Sequence, residues 1–200
     1  MLNDTVAIVL NSPSPLPEIT ETDLLCADGG YKRVVGAEKN IFVIGDFDSL
    51  GKAPSDVPYL SSPVDKDYTD GERAVRYAAE KGVKKIVVYG ADGGRMDMQC
   101  ANLTLLKIAY DLRLDAEIST LTERIFYTEK DFSLTCPIGK RISVIPLGGT
   151  ATFVDSTGLY YPLQGITLTC ADTVGLSNRT TEKDFSLTLS NGGALIFVEK

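Results

Sequence analysis

The pattern of secondary structure in this 200-residue chain changes near residue 122. Before that point, apolar runs alternate with helical segments; after it, the helical pattern stops and short strands follow one another between Gly and Pro residues. The first pattern predicts an α/β domain with a mainly parallel sheet. The second predicts an all-β antiparallel domain, a sandwich or small barrel. We therefore expect two domains, residues 1–121 and 122–200, with a short junction.

Five apolar runs in the first half are typical of buried strands, and two helices are expected between them. A Thr69-x-x-Glu72 capping box predicts a helix that continues to about Lys81 and stops at Gly82. Asp97 is expected to cap the second helix. The predicted strands cover residues 6–10, 24–27, 41–44, 85–89 and 116–121.

The second half contains seven short runs that favour strands. Phe185, Leu187 and Leu189 alternate with Ser and Thr, which is typical of a half-buried strand. Paired glycines at 148–149 and 192–193 predict turns. The predicted strands cover residues 125–128, 132–136, 141–146, 152–155, 166–170, 185–189 and 194–198.

Charge and composition exclude several classes of function. The net charge of -7 and the lack of a basic run argue against a nucleic-acid partner. No apolar run approaches the roughly 18 residues of a membrane helix, and the first residues lack the pattern of a signal peptide. Four separated cysteines favour free thiols and a cytoplasmic location. Because the chain has no histidine, Ser-His-Asp and Cys-His catalysis are excluded.

Two aspartates follow the predicted strand 41–44 directly, in the segment Gly45-Asp46-Phe47-Asp48-Ser49. The carboxyl ends of strands are where open α/β sheets bind ligands. If the segment is extended, Asp46 and Asp48 point the same way, and their mutual repulsion favours a bound cation. The alternative is a turn in which one aspartate caps the next segment. We favour the metal hypothesis on this pattern.

Three further segments bring aspartate or glycine to strand ends or helix starts. Gly93-Gly94-Arg95 stands between a strand and a helix, where glycines let the backbone approach an anion and a guanidinium matches phosphate oxygens. Asp28-Gly29-Gly30 repeats this layout after another strand. Within residues 65–70, acidic residues precede a helix, and Lys66 either pairs with Asp67 or reaches a phosphate. Together these segments favour a site that holds a hard metal ion against a phosphate chain.

In this order, the segments resemble the thiamine pyrophosphokinase (thiamine diphosphokinase) family. That family's pattern is Ala-Asp-Gly-Gly, Gly-Asp-Phe-Asp-Ser, Asp-x-Asp-x-Thr-Asp, Gly-Gly-Arg-x-Asp and a C-terminal Ser-Asn. The stretch 157–163 is also similar to the family's strand before Ser-Asn, so the resemblance spans nearly the whole chain. The five motifs stand here at residues 27–30, 45–49, 65–70, 93–97 and 177–178.

The resemblance implies an enzyme that transfers the diphosphate of ATP to the hydroxyl of thiamine and releases AMP, with Mg²⁺ as cofactor. It also implies a homodimer, with each thiamine site shared between one subunit's α/β half and its partner's β half. The implied metal ligands are Asp46, Asp48 and Asp70. The implied catalytic residues are these three aspartates together with Arg95 and Asp97. The implied ATP contacts are Asp28, Gly29, Gly30, Lys66, Thr69, Gly93, Gly94 and Arg95. The implied thiamine contacts are Asp97, Ser177 and Asn178.

The chain departs from the family pattern at two positions, and alternatives stay open. Met98 stands where many relatives have His or Gln, and Arg179 stands where many bacterial relatives have Glu. Asp97 is expected either to orient the hydroxyl or to bind the cationic substrate. Two other functions compete: diphosphate transfer to another alcohol, such as a pterin, and non-catalytic sensing of a nucleotide or thiamine. The intact motif residues argue against a sensor.

Overall fold

The computed structural model of the protein describes residues 2–63 and 67–200. These residues divide into two compact units, one up to Leu121 and one from Thr122 onward. The first unit combines a parallel sheet with helices, and the second is built from antiparallel strands. The predicted fold class is therefore confirmed, while the roles assigned to the two domains stay predictions.

The first unit contains a twisted layer of parallel strands in the order β4-β3-β2-β1-β5-β6. The central strands are buried on both faces, as their continuous apolar runs predict: residues 6–9 have no exposed surface. The short edge strand β4 has no apolar run and was not predicted. The bounds are β1 Thr5–Val9, β2 Asp23–Ala27, β3 Asn40–Gly45, β4 Tyr59–Ser61, β5 Lys85–Tyr89 and β6 Asp115–Ser119.

Two α-helices connect the later strands of this unit. Helix α1 (Asp70–Glu80) begins as predicted, because the Thr69 hydroxyl accepts a hydrogen bond of 3.2 Å from the Glu72 N–H. Helix α2 (Met96–Asp111) begins two residues earlier than expected, with Arg95 at the N-cap position. The prediction that Asp97 caps this helix is wrong, since Asp97 already lies in its first turn. Neither of these helices, nor any other in the described residues, is long and apolar enough to cross a membrane.

A 3-10 helix, Asp28–Arg33, follows β2 immediately and was not predicted. Its first four residues are buried, and its last two are basic. Because β2 runs straight into it, the Asp28-Gly29-Gly30 segment is fixed at the carboxyl edge of the sheet rather than in an open loop.

The second unit is an antiparallel sheet in which two long strands, β9 and β12, pair with each other. The strand order is β10-β9-β12-β7, with β11 also on β9 and β8 also on β12. Alternating apolar residues of the long strands form its core, among them Ile142, Phe153, Leu187 and Ile196. The bounds are β7 Glu123–Thr128, β8 Asp131–Thr135, β9 Arg141–Thr157, β10 Thr167–Thr169, β11 Asn178–Arg179 and β12 Asp184–Glu199.

Four of the predicted short strands are parts of these two long ones. Residues 141–146 and 152–155 belong to β9, and residues 185–189 and 194–198 belong to β12. The glycine pairs are irregularities within the strands and not turns, since the β9–β12 pairing shifts between Gly192 and Ala194. Only glycine fits at position 192, because a Cβ there would lie 1.7 Å from the Thr150 carbonyl oxygen.

Candidate active site

The loops that follow β1, β2, β3 and β5 meet at the carboxyl edge of the parallel sheet and enclose a cavity of about 470 Å³. This is the place where a parallel sheet is expected to bind a ligand. The cavity is lined by Leu10, Asn11, Pro13, Ala27, Asp28, Asp48, Ser49, Thr69, Asp70, Gly71, Gly90, Gly93, Gly94, Arg95, Met98 and Asn102.

Three carboxylates converge beside this cavity. Asp28, Asp46 and Asp48 each offer one oxygen, and these oxygens all lie within 4.8 Å of one another. Asp28 is 6% exposed; its Oδ2 accepts a 3.2 Å hydrogen bond from the Ser49 N–H. Its Oδ1 is buried and has no hydrogen-bond partner in the described part of the chain.

An unpartnered buried carboxylate oxygen is costly, and two nearby carboxylates add repulsion. A hard divalent cation removes both penalties, since it accepts several carboxylate oxygens at once. The cluster at Asp28, Asp46 and Asp48 therefore fits a magnesium ion. Asp28 was predicted only as an ATP contact; its separate position, at the end of another strand, hid its place in the cluster.

The two aspartates after β3 converge through a turn. Phe47 has a left-handed backbone (φ 66°), and the Asp48 N–H donates a 3.2 Å hydrogen bond to Asp46 Oδ1. The prediction of an extended segment is wrong, and the turn considered as the alternative is present. The buried Phe47 ring packs edge-on against Tyr59, with centroids 5.2 Å apart, so side-chain packing holds the turn. The turn and the carboxylate cluster exist together.

Gly45 allows the carboxylate loops of β2 and β3 to approach. A Cβ at this position would lie 2.9 Å from the Asp28 Cβ, closer than real Cβ atoms come. The glycine that begins Gly-Asp-Phe-Asp-Ser is therefore needed so that the two strand ends can come close together. A larger residue at this position would move Asp28 away from Asp46.

The Gly93-Gly94 loop also lines the cavity, together with Arg95. The exposed Arg95 guanidinium forms a forked ion pair with Asp97, with an Nη2–Oδ2 distance of 2.5 Å and an Nε–Oδ1 distance of 3.1 Å. This hydrogen-bonded guanidinium, helped by the Met98 N–H, holds the pKa of the Asp97 carboxyl below its ordinary value. Asp97 is thus a stable anion paired with the arginine.

The predicted residues of the acidic segment 65–70 are only partly described. Thr69 and Asp70 line the cavity, and Asp70 is separate from the three-carboxylate cluster. The Thr69 hydroxyl is the helix cap of α1, which gives it a structural task. Lys66 lies outside the described residues, so its expected ATP contact stays a prediction.

Ser177 and Asn178 belong to the second unit. Ser177 has a left-handed backbone (φ 58°) and an exposed side chain. Asn178 is buried, and its amide is engaged with Tyr161: Oδ1 accepts from the Tyr161 N–H (3.0 Å), and Nδ2 donates to the Tyr161 carbonyl (2.7 Å). The position of Asn178 therefore fixes the backbone beside two exposed tyrosines, a role that the sequence did not indicate.

Arg179 and the two tyrosines form one exposed group. The Tyr160 and Tyr161 rings are 50% and 62% exposed and meet edge-on at 4.8 Å. The Arg179 guanidinium lies over the Tyr160 ring, 4.1 Å from its centroid. The departure from the family pattern at position 179 thus places a cation on an aromatic ring.

Several cavity residues were missed in the sequence. Asn11 and Pro13 follow β1, and their place after an apolar run was the signal that could have identified them. Met98 and Asn102 lie on α2, and Asn102 donates a 3.0 Å hydrogen bond to the Ala91 carbonyl. Met98 stands directly after the Gly-Gly-Arg-x-Asp motif, where it departs from the family pattern, whereas no local pattern distinguishes Asn102 from other helix residues.

A parallel α/β sheet with carboxylates, glycine loops and a helix N-terminus around one cavity is typical of the class of proteins that bind metal-complexed phosphates. Two family models match this chain: "Thiamin pyrophosphokinase, catalytic domain" at residues 20–118, and "Thiamin pyrophosphokinase, vitamin B1 binding domain" at residues 125–193. The chain belongs to the thiamin pyrophosphokinase family, and the resemblance found in the sequence is confirmed.

Individual relatives agree with this assignment. The chain is 26% identical over 175 residues to thiamin pyrophosphokinase 1 of Caenorhabditis elegans, covering 78% of this chain and 68% of the relative. It is 26% identical over 156 residues to thiamine pyrophosphokinase of Bacillus subtilis, covering 74% and 73%.

Solved structures share the fold over the whole chain. The crystal structure of thiamine pyrophosphokinase from Bacillus subtilis matches with a TM-score of 0.83 and 23% identity, covering 98% of this chain and 99% of that one. Thiamin pyrophosphokinase from Candida albicans matches with a TM-score of 0.81 and 16% identity, covering 98% and 88%. At these identities the likeness establishes the fold alone.

Proposed function

We propose that the cavity of the first unit is the active site, and that the residues of this chain that line it carry out the activity of the family. That activity is the transfer of the diphosphate group of ATP to the hydroxyl of thiamine, giving thiamine diphosphate and AMP. The observation that supports this placement is the buried, unpartnered Oδ1 of Asp28 within the Asp28/Asp46/Asp48 cluster, at the carboxyl edge of the sheet.

Asp28, Asp46 and Asp48 would hold a magnesium ion, and Asp70 lines the same cavity. When bound, magnesium neutralises phosphate charge and aligns phosphate oxygens. Asp70 remains part of the proposed metal set, because a hard cation accepts six or more oxygens and the three-residue cluster supplies fewer.

The Gly93-Gly94 loop, Arg95 and the N-terminus of α2 are proposed to bind the triphosphate. Backbone N–H groups and the positive end of a 16-residue helix favour an anion there. Arg95 is exposed, so its fork can turn from Asp97 to a phosphate. Phosphoryl transfer depends on such positioning more than on a strong base, which suits a chain without histidine.

The lowered pKa of Asp97 bears on its role. While it is paired with Arg95, the Asp97 carboxyl is held ionised. When the Arg95 fork turns to a phosphate, the exposed Asp97 carboxylate is left without that cation and can pair with another one. We therefore favour the second of the two expected roles, in which Asp97 attracts the cationic ring of thiamine. Proton transfer from the thiamine hydroxyl then needs no contribution from this group.

Thiamine is proposed to bind with Ser177 and with the exposed tyrosines that Asn178 fixes. The support is the vitamin B1 binding domain match, which includes these residues. The homodimer with shared sites, expected from the resemblance, is part of this proposal. So is a cytoplasmic location, which the four unbonded cysteines favour.

The experiment that tests the proposal is an AMP-release assay with ATP, Mg²⁺ and rival acceptors, thiamine and a pterin alcohol. We expect AMP and thiamine diphosphate in equal amounts, with no reaction of the pterin. Release of ADP, or AMP formation with the pterin alone, contradicts the proposed reaction. ATP binding without turnover of either acceptor would instead support a sensor.

A further inference from the structure

The segment after β1 lies next to the Gly93-Gly94 loop, which we call the glycine loop. We define the β1 loop as residues 11–14. Asn11 and Pro13 line the cavity beside Gly93 and Gly94, so the two loops form adjoining parts of one wall. The position of one loop therefore sets the position of the other.

Ser12 joins the β1 loop to the glycine loop. It is 5% exposed, and its hydroxyl donates a hydrogen bond to the Asp92 carbonyl while accepting one of 3.1 Å from the Ser14 N–H. Contact between the loops is close: a Cβ on Gly93 would lie 2.2 Å from the Ser14 hydroxyl oxygen. The carbonyl that receives this hydrogen bond directly precedes the glycines that face the cavity.

Arg33 holds the β1 loop from the other side. It is the last residue of the 3-10 helix Asp28–Arg33 and is partly buried. Its Nη1 donates to the Ser12 carbonyl, and its Nη2 donates to the Ser14 carbonyl at 2.7 Å. A planar guanidinium with two donors is suited to holding two carbonyls at a fixed spacing.

We propose that Arg33 is a positioning residue for ATP, which acts through Ser12 to hold the Gly93-Gly94 loop in place. This inference rests on the proposed function of the cavity. The 3-10 helix begins with Asp28, a member of the three-carboxylate cluster, and ends with Arg33. One short element therefore fixes a carboxylate of the proposed metal site at its start and, through Arg33, the Gly93-Gly94 loop at its end. The relative placement of the metal and the phosphates is thereby set by a rigid segment.

The physical argument is preorganisation. Without the two hydrogen bonds from Arg33, the β1 loop can move away from the Asp92 carbonyl, and the glycine N–H groups lose their fixed direction. A small misplacement of donors costs binding and rate even when every contact residue is intact. The loss should fall on ATP and leave thiamine unaffected, because the described contacts of Arg33 are confined to the β1 loop.

The test is a double-mutant cycle with Arg33→Ala and Ser12→Ala. Titration with Mg·ATP measures the affinity for ATP, and steady-state kinetics measure the KM for thiamine. We expect each variant to weaken ATP binding about tenfold, the double variant to be no worse than the single ones, and the KM for thiamine to stay within about twofold. Arg33→Lys should recover part of the loss, since an ammonium reaches one carbonyl but not both.

Arg73→Ala is the matched control, because it removes the same charge from an ion pair with Glu80 on α1. It should leave ATP binding unchanged. Additive effects of Arg33→Ala and Ser12→Ala would overturn the proposal and indicate that Arg33 acts on ATP directly. An equal loss for both substrates, together with a lower unfolding temperature, would indicate a merely structural residue.

Failure of this inference is distinguishable from failure of the proposed function. If the wild-type protein binds no Mg·ATP, the function assigned to the cavity is wrong. If it binds Mg·ATP normally and Arg33→Ala does too, only the positioning role is wrong.

Discussion

Four non-glycine residues in the described part of the chain have a positive φ, and two of them, Phe47 and Ser177, lie in turns that differ in how their polar groups are satisfied. One is Asp46-Phe47-Asp48 after β3, with φ 66° at Phe47; the other is Ser177-Asn178, with φ 58° at Ser177. Beside the first, carboxylates converge and Asp28 Oδ1 stays unpartnered in the described residues. In the second, the Asn178 amide is fully engaged with the Tyr161 backbone.

The comparison shows that backbone strain alone does not distinguish a turn that gathers unbalanced charge from a turn whose polar groups are satisfied within the protein. Hydrogen-bond satisfaction does distinguish them. The turn at Phe47 leaves negative charge that a bound cation would balance, whereas the Asn178 amide beside Ser177 is satisfied within the protein. Substitutions at the first should change ligand-dependent properties, and substitutions at the buried amide of the second should change stability.

The largest expected effect is the loss of turnover in Asp46→Asn and Asp48→Asn. Removing one carboxylate charge from the cluster should lower kcat by at least about 100-fold, because the metal loses a ligand while the turn keeps its packing. AMP release measures the effect, and circular dichroism checks that the variants stay folded. Near-normal activity in either variant at ordinary magnesium concentrations contradicts metal ligation.

The proposed shared site predicts recovery of activity when two inactive variants are mixed. Asp97→Ala removes the contribution of the first unit to the thiamine site. Ser177→Arg removes the contribution of the second unit, since an exposed arginine repels the cationic substrate. Asn178 is avoided because its loss should destabilise the fold. After random exchange, activity should approach about a quarter of wild type, because roughly half the dimers carry one intact site of two. No recovery after verified exchange would mean that each chain builds its own site.

Arg95→Ala should weaken ATP binding about tenfold or more and change thiamine binding less, because the guanidinium is assigned to phosphate oxygens. Calorimetric titration with each ligand measures both effects. The same variant should raise the pKa of Asp97 toward its ordinary value, since the guanidinium is the main cause of its lowering. A loss confined to thiamine would assign Arg95 to the other substrate.

Asn178→Ala should lower the free energy of unfolding by about 1 to 3 kcal/mol, because the Tyr161 N–H and carbonyl lose their partners in a buried setting. Ser177→Ala is the matched control on the neighbouring exposed side chain, where a change within about 0.5 kcal/mol is expected. Urea unfolding compares the two. Equal stability of both variants would remove the distinction between the two turns.

Asp28→Asn should change stability less than Asn178→Ala does, and in the opposite direction. Without magnesium, the neutral amide relieves repulsion in the cluster, so unfolding free energy should rise by roughly 1 kcal/mol. Magnesium should stabilise the wild type against heat and have little effect on the variant, since binding to the folded state raises stability. A wild type indifferent to magnesium would show that the cluster holds no such ion.

The sequence located the segments that surround this cavity, because parallel strands bring their carboxyl ends together. Apolar runs located β1, β2, β3 and β5 to within two residues, and the motifs that follow them meet around one cavity. The family assignment required no geometry, since the order of the motifs is specific.

What the sequence did not predict depends on contacts between distant segments. The backbone of Phe47 is set by packing on Tyr59, and the place of Asp28 in the cluster is set by the spacing that Gly45 allows. A glycine pair is a turn or a bulge according to the strand that lies opposite, which is why β9 and β12 were each predicted as two strands. Asn178 has the composition of an ordinary turn, and only its burial against Tyr161 reveals its task.

The pairing of β12 has a consequence for the order in which the chain folds. Strand β12 is hydrogen-bonded to β7, β8 and β9. The sheet of the second unit therefore lacks the strand that joins these three until residues 184–199 have been synthesised. The parallel sheet of the first unit is complete by Ser119. During synthesis the first unit can therefore fold before the second. Until β12 has been synthesised, the apolar residues of β9 remain exposed.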